Sequence, residues 1–178
     1  MTPNGSEELK SLEEMLRRGQ RLSMQGSYDR KAPASEAVPF LVQARDGLKE
    51  LTSRVPADVR VWQQLSLAHE ALLEYGAALA AAEEAIRLSG RKDKRNLKRL
   101  AQLRESAALW NPMPLSPTQL AQLGEYLRGQ LRGGTGERSL KWTESWLAEQ
   151  RIPESDKVIA ALRNRGGFTD FEVLANVV

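Results

Sequence analysis

Shifted against itself by 34 residues, the chain lays Leu41 on Tyr75, Ala44 on Ala78, Leu51 on Ala85 and Pro56 on Gly90. A segment that repeats its apolar spacing at a fixed interval builds one unit twice, and each unit buries its apolar face against its neighbour. Within each unit the apolar and small residues recur at the spacing of one helix face. Composition agrees: hydrophobic residues are 41% of the chain and aromatics only 6%, so Ala and Leu do most of the filling. Sheets draw instead on Val, Ile and aromatic residues. The expectation is an all-α fold of antiparallel helix pairs.

Ser6, followed by Glu7 and Glu8, reads as the start of a first helix, with acids near the positive end of its dipole. Leu9, Leu12, Met15, Leu16, Gly19 and Leu22 share its face. A second helix begins near Ser35, after "GSYDRKAP", with Val38, Leu41, Ala44, Leu48 and Leu51 on one side. Pro39 lies in its first turn, where a missing amide is tolerated. Helices three to five are expected over about 59–74, 75–88 and 95–109. "NPMPLSP" at 111–117 carries three prolines and marks a joint. Three more helices, over about 118–131, 139–150 and 154–165, follow, the last closed by Gly166. The expected organisation is a helical-repeat domain at 1–110, a Pro-rich joint at 111–117 and a small helical module at 118–178.

The segment "VWQQLSLAHEALLEYGAALAAAEEAIRL" resembles a tetratricopeptide-type repeat, best over residues 56–90. Trp62 and Leu65 match the aromatic and leucine that open its first helix, and Ser66 stands where glycine is usual. Tyr75, Ala78 and Ala85 match the aromatic and the two small residues of its second helix. Pro56 and Gly90 match its helix-ending positions. Small residues belong there because two helices cross closely only where the contacting side chains are small. Upstream, only the second helix of a preceding repeat matches. Helix five would close the array. The resemblance implies a right-handed array whose concave face is lined by Arg60, Gln63, Gln64, Leu67 and Ala71 of helix three and Lys94, Leu97, Lys98 and Ala101 of helix five.

The last third, from "LSPTQLAQLGEYLRGQL", resembles a bacterial family of unknown function whose members close with a "GGYCDCEVLANV"-like pattern and carry a "CDHTLRHT"-like stretch earlier. Here the closing pattern is "GGFTDFEVLANV" and the earlier stretch is "GERSLKWT". Where the relatives place cysteines this chain has Gly136, Thr169 and Phe171; where they place histidines it has Arg138 and Trp142. Cysteine and histidine at those places would suit a tetrahedral metal site in the relatives. None of the ligands is present here, so apolar contact from Phe171, Trp142 and Trp146 is expected to hold the tail. The tail itself gives two signals. Thr169 and Glu172 fit a capping box, which starts a helix. Alternation of Thr169, Phe171, Val173, Ala175 and Val177 favours an extended segment, with "GTGERS" as its partner.

Several chemistries are disfavoured. The chain has no cysteine and one histidine, which removes thiolate nucleophiles, disulfides and histidine-rich metal sites. His69 lies on the face of helix three turned to helix four and reads as a structural histidine. The glycine-rich "RGGTGERS" lacks the lysine and hydroxyl of a phosphate loop and reads as a turn. Glu83 and Glu84 are adjacent, so they leave the helix on different faces. Trp142 and Trp146 read as core. "RKDKRNLKRLAQLR" at 91–104 holds seven basic residues and one acid but no aromatic, so it reads as a solvated face or a groove for an acidic peptide rather than a nucleic-acid platform.

The net charge of +3 permits attraction to acidic partners without demanding it. No run reaches the length of a membrane span and no secretory signal is visible, so a cytoplasmic setting is expected. The expected function is a non-enzymatic interaction or adaptor protein, without cofactor or metal, that holds a protein or acidic peptide on the concave face. Neither membrane nor nucleic acid is expected as a partner. The alternative is an immunity-type or chaperone-like regulator that binds through its C-terminal module.

Overall fold

Among the residues that the computed structural model describes (3–24, 32–90, 93–110, 113–132 and 138–178), nine α-helices follow one another and no strand forms. They are α1 (Pro3–Leu22), α2 (Val38–Arg54), α3 (Val59–Ala71), α4 (Tyr75–Ser89), α5 (Lys94–Trp110), α6 (Pro117–Leu131), α7 (Lys141–Glu149), α8 (Ser155–Arg163) and α9 (Asp170–Asn176). The chain is all-α, with neighbouring helices packed as pairs: α1 on α2, α2 on α3, α3 on α4 and α4 on α5. No helix among the described residues is long and apolar enough to cross a membrane.

Helix ends follow local chemistry. Asp58 caps α3 by accepting from the Arg60 amide at 2.9 Å. At α6, Ser116 and Gln119 exchange bonds as a full capping box, and Pro117 fills the first turn. Three helices end in one geometry. After α3, the Glu74 amide bonds the His69 carbonyl and the Leu73 amide bonds that of Glu70. After α7, the Ile152 amide bonds the Leu147 carbonyl and the Arg151 amide that of Ala148. After α8, the Gly167 amide bonds the Leu162 carbonyl and the Gly166 amide that of Arg163. This pair of hydrogen bonds reverses the chain and requires a left-handed residue between helix and exit. Gly166 supplies it without strain (φ 80°), whereas Leu73 (φ 62°) and Arg151 (φ 52°) supply it with a side chain attached.

Two apolar clusters share α4 as a wall. One joins α1, α2 and α3 through Leu9, Leu16, Leu41, Leu48, Leu51 and Val61, with Ala81 from α4. Its helices approach closely: a Cβ on Gly47 would stand 2.5 Å from Leu12 Cδ2. The other begins at Tyr75, Ala78 and Ala82 and runs through Leu103 and Trp110 of α5 into α6, α7, α8 and α9. The core is therefore continuous across the joint at 111–117, of which Asn111 and Pro112 lie outside the described residues. Polar ties reinforce it. The Ala32 amide donates to the Val177 carbonyl at 3.4 Å, and Ser35 Oγ donates to Glu125 of α6. The guanidinium of Arg165 lies 4.5 Å over the Trp110 ring and donates to the carbonyls of Leu109 and Ala161, in the last turns of α5 and α8. A cation suits those negative helix ends. Half-burial without a carboxylate pushes the Arg165 pKa down to about 10.

The tail is helical, and here the alternation misleads. Thr169 Oγ1 accepts from the Glu172 amide at 3.2 Å, while the Glu172 carboxylate accepts from the Phe168 amide, so the capping signal wins. A helix places Asp170, Val173 and Val177 on one buried face and turns Phe171 outward, 67% exposed. Phe171 thus does not anchor the tail. The anchors are Val173, Val177, Val178 and the carboxylate of Asp170, which caps α7 from outside: it accepts from the amides of Trp142 and Thr143 at 2.9 Å and from Thr143 Oγ1 at 2.6 Å. Asn176 Nδ2 also bonds the Gly166 carbonyl at 2.9 Å, which closes α9 back onto the end of α8. Trp146 is buried as expected, and Trp142 packs at the edge of the core.

Candidate functional site

Between α3, α4 and α5 lies a cleft of about 740 Å³. Its floor is apolar, from Leu67, Ala82, Ala85 and Ile86; its walls carry Gln63, Gln64, Arg95, Asn96 and Arg99. The floor is low because α4 presents small residues: Ala78, Ala82 and Ala85 are all buried, and α3 lies close against them.

Ser66 ties the three helices together. Its hydroxyl donates to the Ala78 carbonyl at 2.8 Å and accepts from Arg99 at 3.2 Å. The same guanidinium nitrogen reaches Glu70 Oε2 at 3.0 Å, so the charge of Arg99 is matched within the fold by a buried carboxylate. Arg95 differs: among the described residues it pairs with no carboxylate, although Asp93 also lines the cleft.

Of the residues expected on the concave face, Gln63, Gln64 and Leu67 line the cleft. Arg60 turns the other way and pairs with Glu13 of α1 at 3.0 Å. Ala71 is buried in the α1–α3 cluster. Lys94, Leu97, Lys98 and Ala101 lie on the exposed side of α5, which presents Arg95, Asn96 and Arg99 to the cleft instead. The phase of α5 is set by its buried stripe of Leu100, Leu103, Ala107 and Trp110. That stripe is visible in the sequence at helical spacing, and it rather than Leu97 and Ala101 identifies the inward face. Arg91 and Lys92 of the basic run lie outside the described residues.

A family model, described as a protein of unknown function (DUF2695), matches residues 123–176. The match runs from within α6 to the end of α9. No curated protein and no solved structure matches the chain. The matched segment contains Gly136, Arg138, Trp142, Thr169 and Phe171, the positions at which the resemblance places cysteine or histidine in relatives. Thr169 is the cap of α9, Phe171 and Arg138 are exposed, and Trp142 donates its amide to Asp170. Gly136 lies outside the described residues. Among the described residues no cluster of three or more His, Cys, Asp or Glu side chains could hold a metal ion.

His69 belongs to an ionic knot that joins α2, α3 and the turn before α4. Its Nδ1 lies 2.5 Å from Glu74 Oε2, and Arg45 Nη1 reaches Glu74 Oε1 at 2.6 Å. Burial acts most strongly on the Glu74 carboxyl and opposes ionisation; His69 and Arg45 together overcome it and hold the carboxyl below its ordinary value. The sequence placed His69 against helix four but did not reveal these partners.

Proposed function

We propose that the chain is a non-enzymatic adaptor that holds a protein or acidic peptide in the cleft between α3, α4 and α5. One observation carries this reading: an apolar floor of small side chains beside Arg95, whose charge no carboxylate among the described residues matches. A peptide can lay an apolar side chain on Leu67 and Ile86 while a carboxylate meets the guanidinium. The α3–α4 pair is read as a tetratricopeptide-like unit. Its support is the burial of Leu65, Tyr75, Ala78 and Ala85 at the positions the repeat pattern requires, and the bond from Trp62 Nε1 to the Pro56 carbonyl at 2.8 Å that fixes the entry to α3.

The test is fluorescence anisotropy on the full chain with labelled acidic peptides, each read against its charge-reversed counterpart. Arg95→Glu with Gln64→Glu is expected to weaken acidic-peptide capture at least tenfold, about 1.4 kcal/mol. Unchanged affinity in that pair would show that the cleft is not the binding site. The second reading, binding through the C-terminal module, is favoured by the exposure of Phe171. Phe171→Ser should abolish capture under that reading and leave it untouched under the first.

A further inference from the structure

A second cavity, of about 590 Å³, opens on the C-terminal module and shares no residue with the cleft. Arg138, Lys141 and Arg163 line it, and among the described lining residues Glu144 carries the single carboxylate. Among the described residues neither Arg138 nor Arg163 takes part in an ion pair. Lys141 lies 5.3 Å over the Trp142 ring. Cations gathered around one hollow repel each other, and an anion between them removes that cost.

Ser139 supplies an independent sign. It lines the same cavity, and its Oγ is buried without a hydrogen-bond partner. The Ser139 backbone is held in place, since its carbonyl accepts from the Asp170 amide at 2.9 Å. Buried hydroxyls are almost always paired. Beside three cations, the acceptor that best takes bonds from a hydroxyl and from guanidinium at once is an oxyanion. The first amides of α7 cannot do this work, since Asp170 already occupies those of Trp142 and Thr143. Recognition therefore rests on side chains. Phe168, 60% exposed, forms part of the cavity wall and offers a ring to stack on.

We propose that this cavity binds a phosphate group carried beside an aromatic ring, with the phosphate on Arg138, Lys141, Arg163 and Ser139 and the ring against Phe168. Phosphate fits better than carboxylate because three cations and a hydroxyl can address three or more acceptor oxygens, where a carboxylate has two. The assignment does not depend on the cleft reading.

Isothermal titration of the full chain at low salt with phenyl phosphate, inorganic phosphate and benzoate tests it. Phenyl phosphate should bind more tightly than either fragment, by about fivefold or more. Arg163→Ala and Arg138→Ala should each weaken it by about tenfold. Phe168→Ser should reduce phenyl phosphate to the level of inorganic phosphate. Ser139→Ala should weaken binding while leaving the melting temperature unchanged or higher, because it removes an unpaired buried hydroxyl; that separates binding from folding. Adenosine monophosphate and phosphotyrosine as further arms distinguish a nucleobase from a phenol ring, and tight binding of either supports the site. Equal binding of phenyl phosphate and inorganic phosphate, or binding indifferent to Arg138→Ala and Arg163→Ala, overturns the proposal.

Discussion

The carboxylate of Asp170 holds two amides and a hydroxyl at the start of α7, and it is 2% exposed. Removing it strands all three donors in the interior. Asp170→Ala is expected to cost about 3 kcal/mol, from charge-assisted bonds lost and buried donors left unpaired. Phe171→Ser, one residue on, should stay within about 0.5 kcal/mol of the parent, since an exposed ring leaves nothing behind. Urea unfolding of the two variants checks both values. The sequence suggested the reverse ranking. Alternation placed Phe171 inward and Asp170 outward, and nothing local tells that an aspartate will cap a helix 28 positions earlier. The small residues were easier to read. Ala78 and Ala85 are buried where the repeat put them, because a seven-residue spacing on one helix face is itself the constraint.

Helix boundaries were legible at Asp58, Ser116 and Pro117, but not at Ser6, the expected start of the first helix, since α1 already begins at Pro3. The left-handed exits were legible where glycine supplies them, at Gly90 and Gly166. Arg151 occupies the same place after α7, with Leu147 and Ile152 flanking it as the apolar pair this exit favours. Arg151 is exposed, so Arg151→Gly loses little contact and relieves the strain of a side chain at positive φ. It should stabilise the chain by about 1 kcal/mol, read as a shift of the urea midpoint at constant slope. The phase of α5 shows how an element can be found and still misread. Its existence followed from periodicity, but its buried stripe of Leu100, Leu103, Ala107 and Trp110 turns Arg95, Asn96 and Arg99 to the cleft, where the resemblance had put Lys94, Leu97, Lys98 and Ala101.

For the whole molecule, the prolines of the joint suggested a division; helix pairs pack mainly within α1–α5 and within α6–α9, while one apolar cluster runs across the joint. Tyr75 and Trp110 stand 6.3 Å apart, ring centre to ring centre, within a cluster that continues into the last helix. A fragment of residues 1–110 would expose the α4 and α5 side of that cluster to water. It is expected to lose helicity and unfold at lower urea than the full chain, as followed by circular dichroism. Binding lost on truncation would therefore report unfolding rather than a site, which is why point substitutions are needed to separate the two functional readings. Fold class was legible because helical spacing runs through most of the chain, the alternating tail excepted. The cleft was legible in part: the resemblance to a tetratricopeptide-type repeat implied Gln63, Gln64 and Leu67, but the pairing of Arg99 with Glu70 depends on how two helices meet.

The cap on α7 also gives the molecule an internal clock. The amides of Trp142 and Thr143 are sealed only while the segment around Asp170 is docked, and each undocking releases both to solvent together. Their hydrogens should exchange at a common rate, matched by the Val177 amide, whose own bond to the Val173 carbonyl opens in the same event. In Asp170→Asn all three should exchange faster, by at least about tenfold. If only the α7 amides speed up, α9 docks without its aspartate and the valines alone set the lifetime of the closed module.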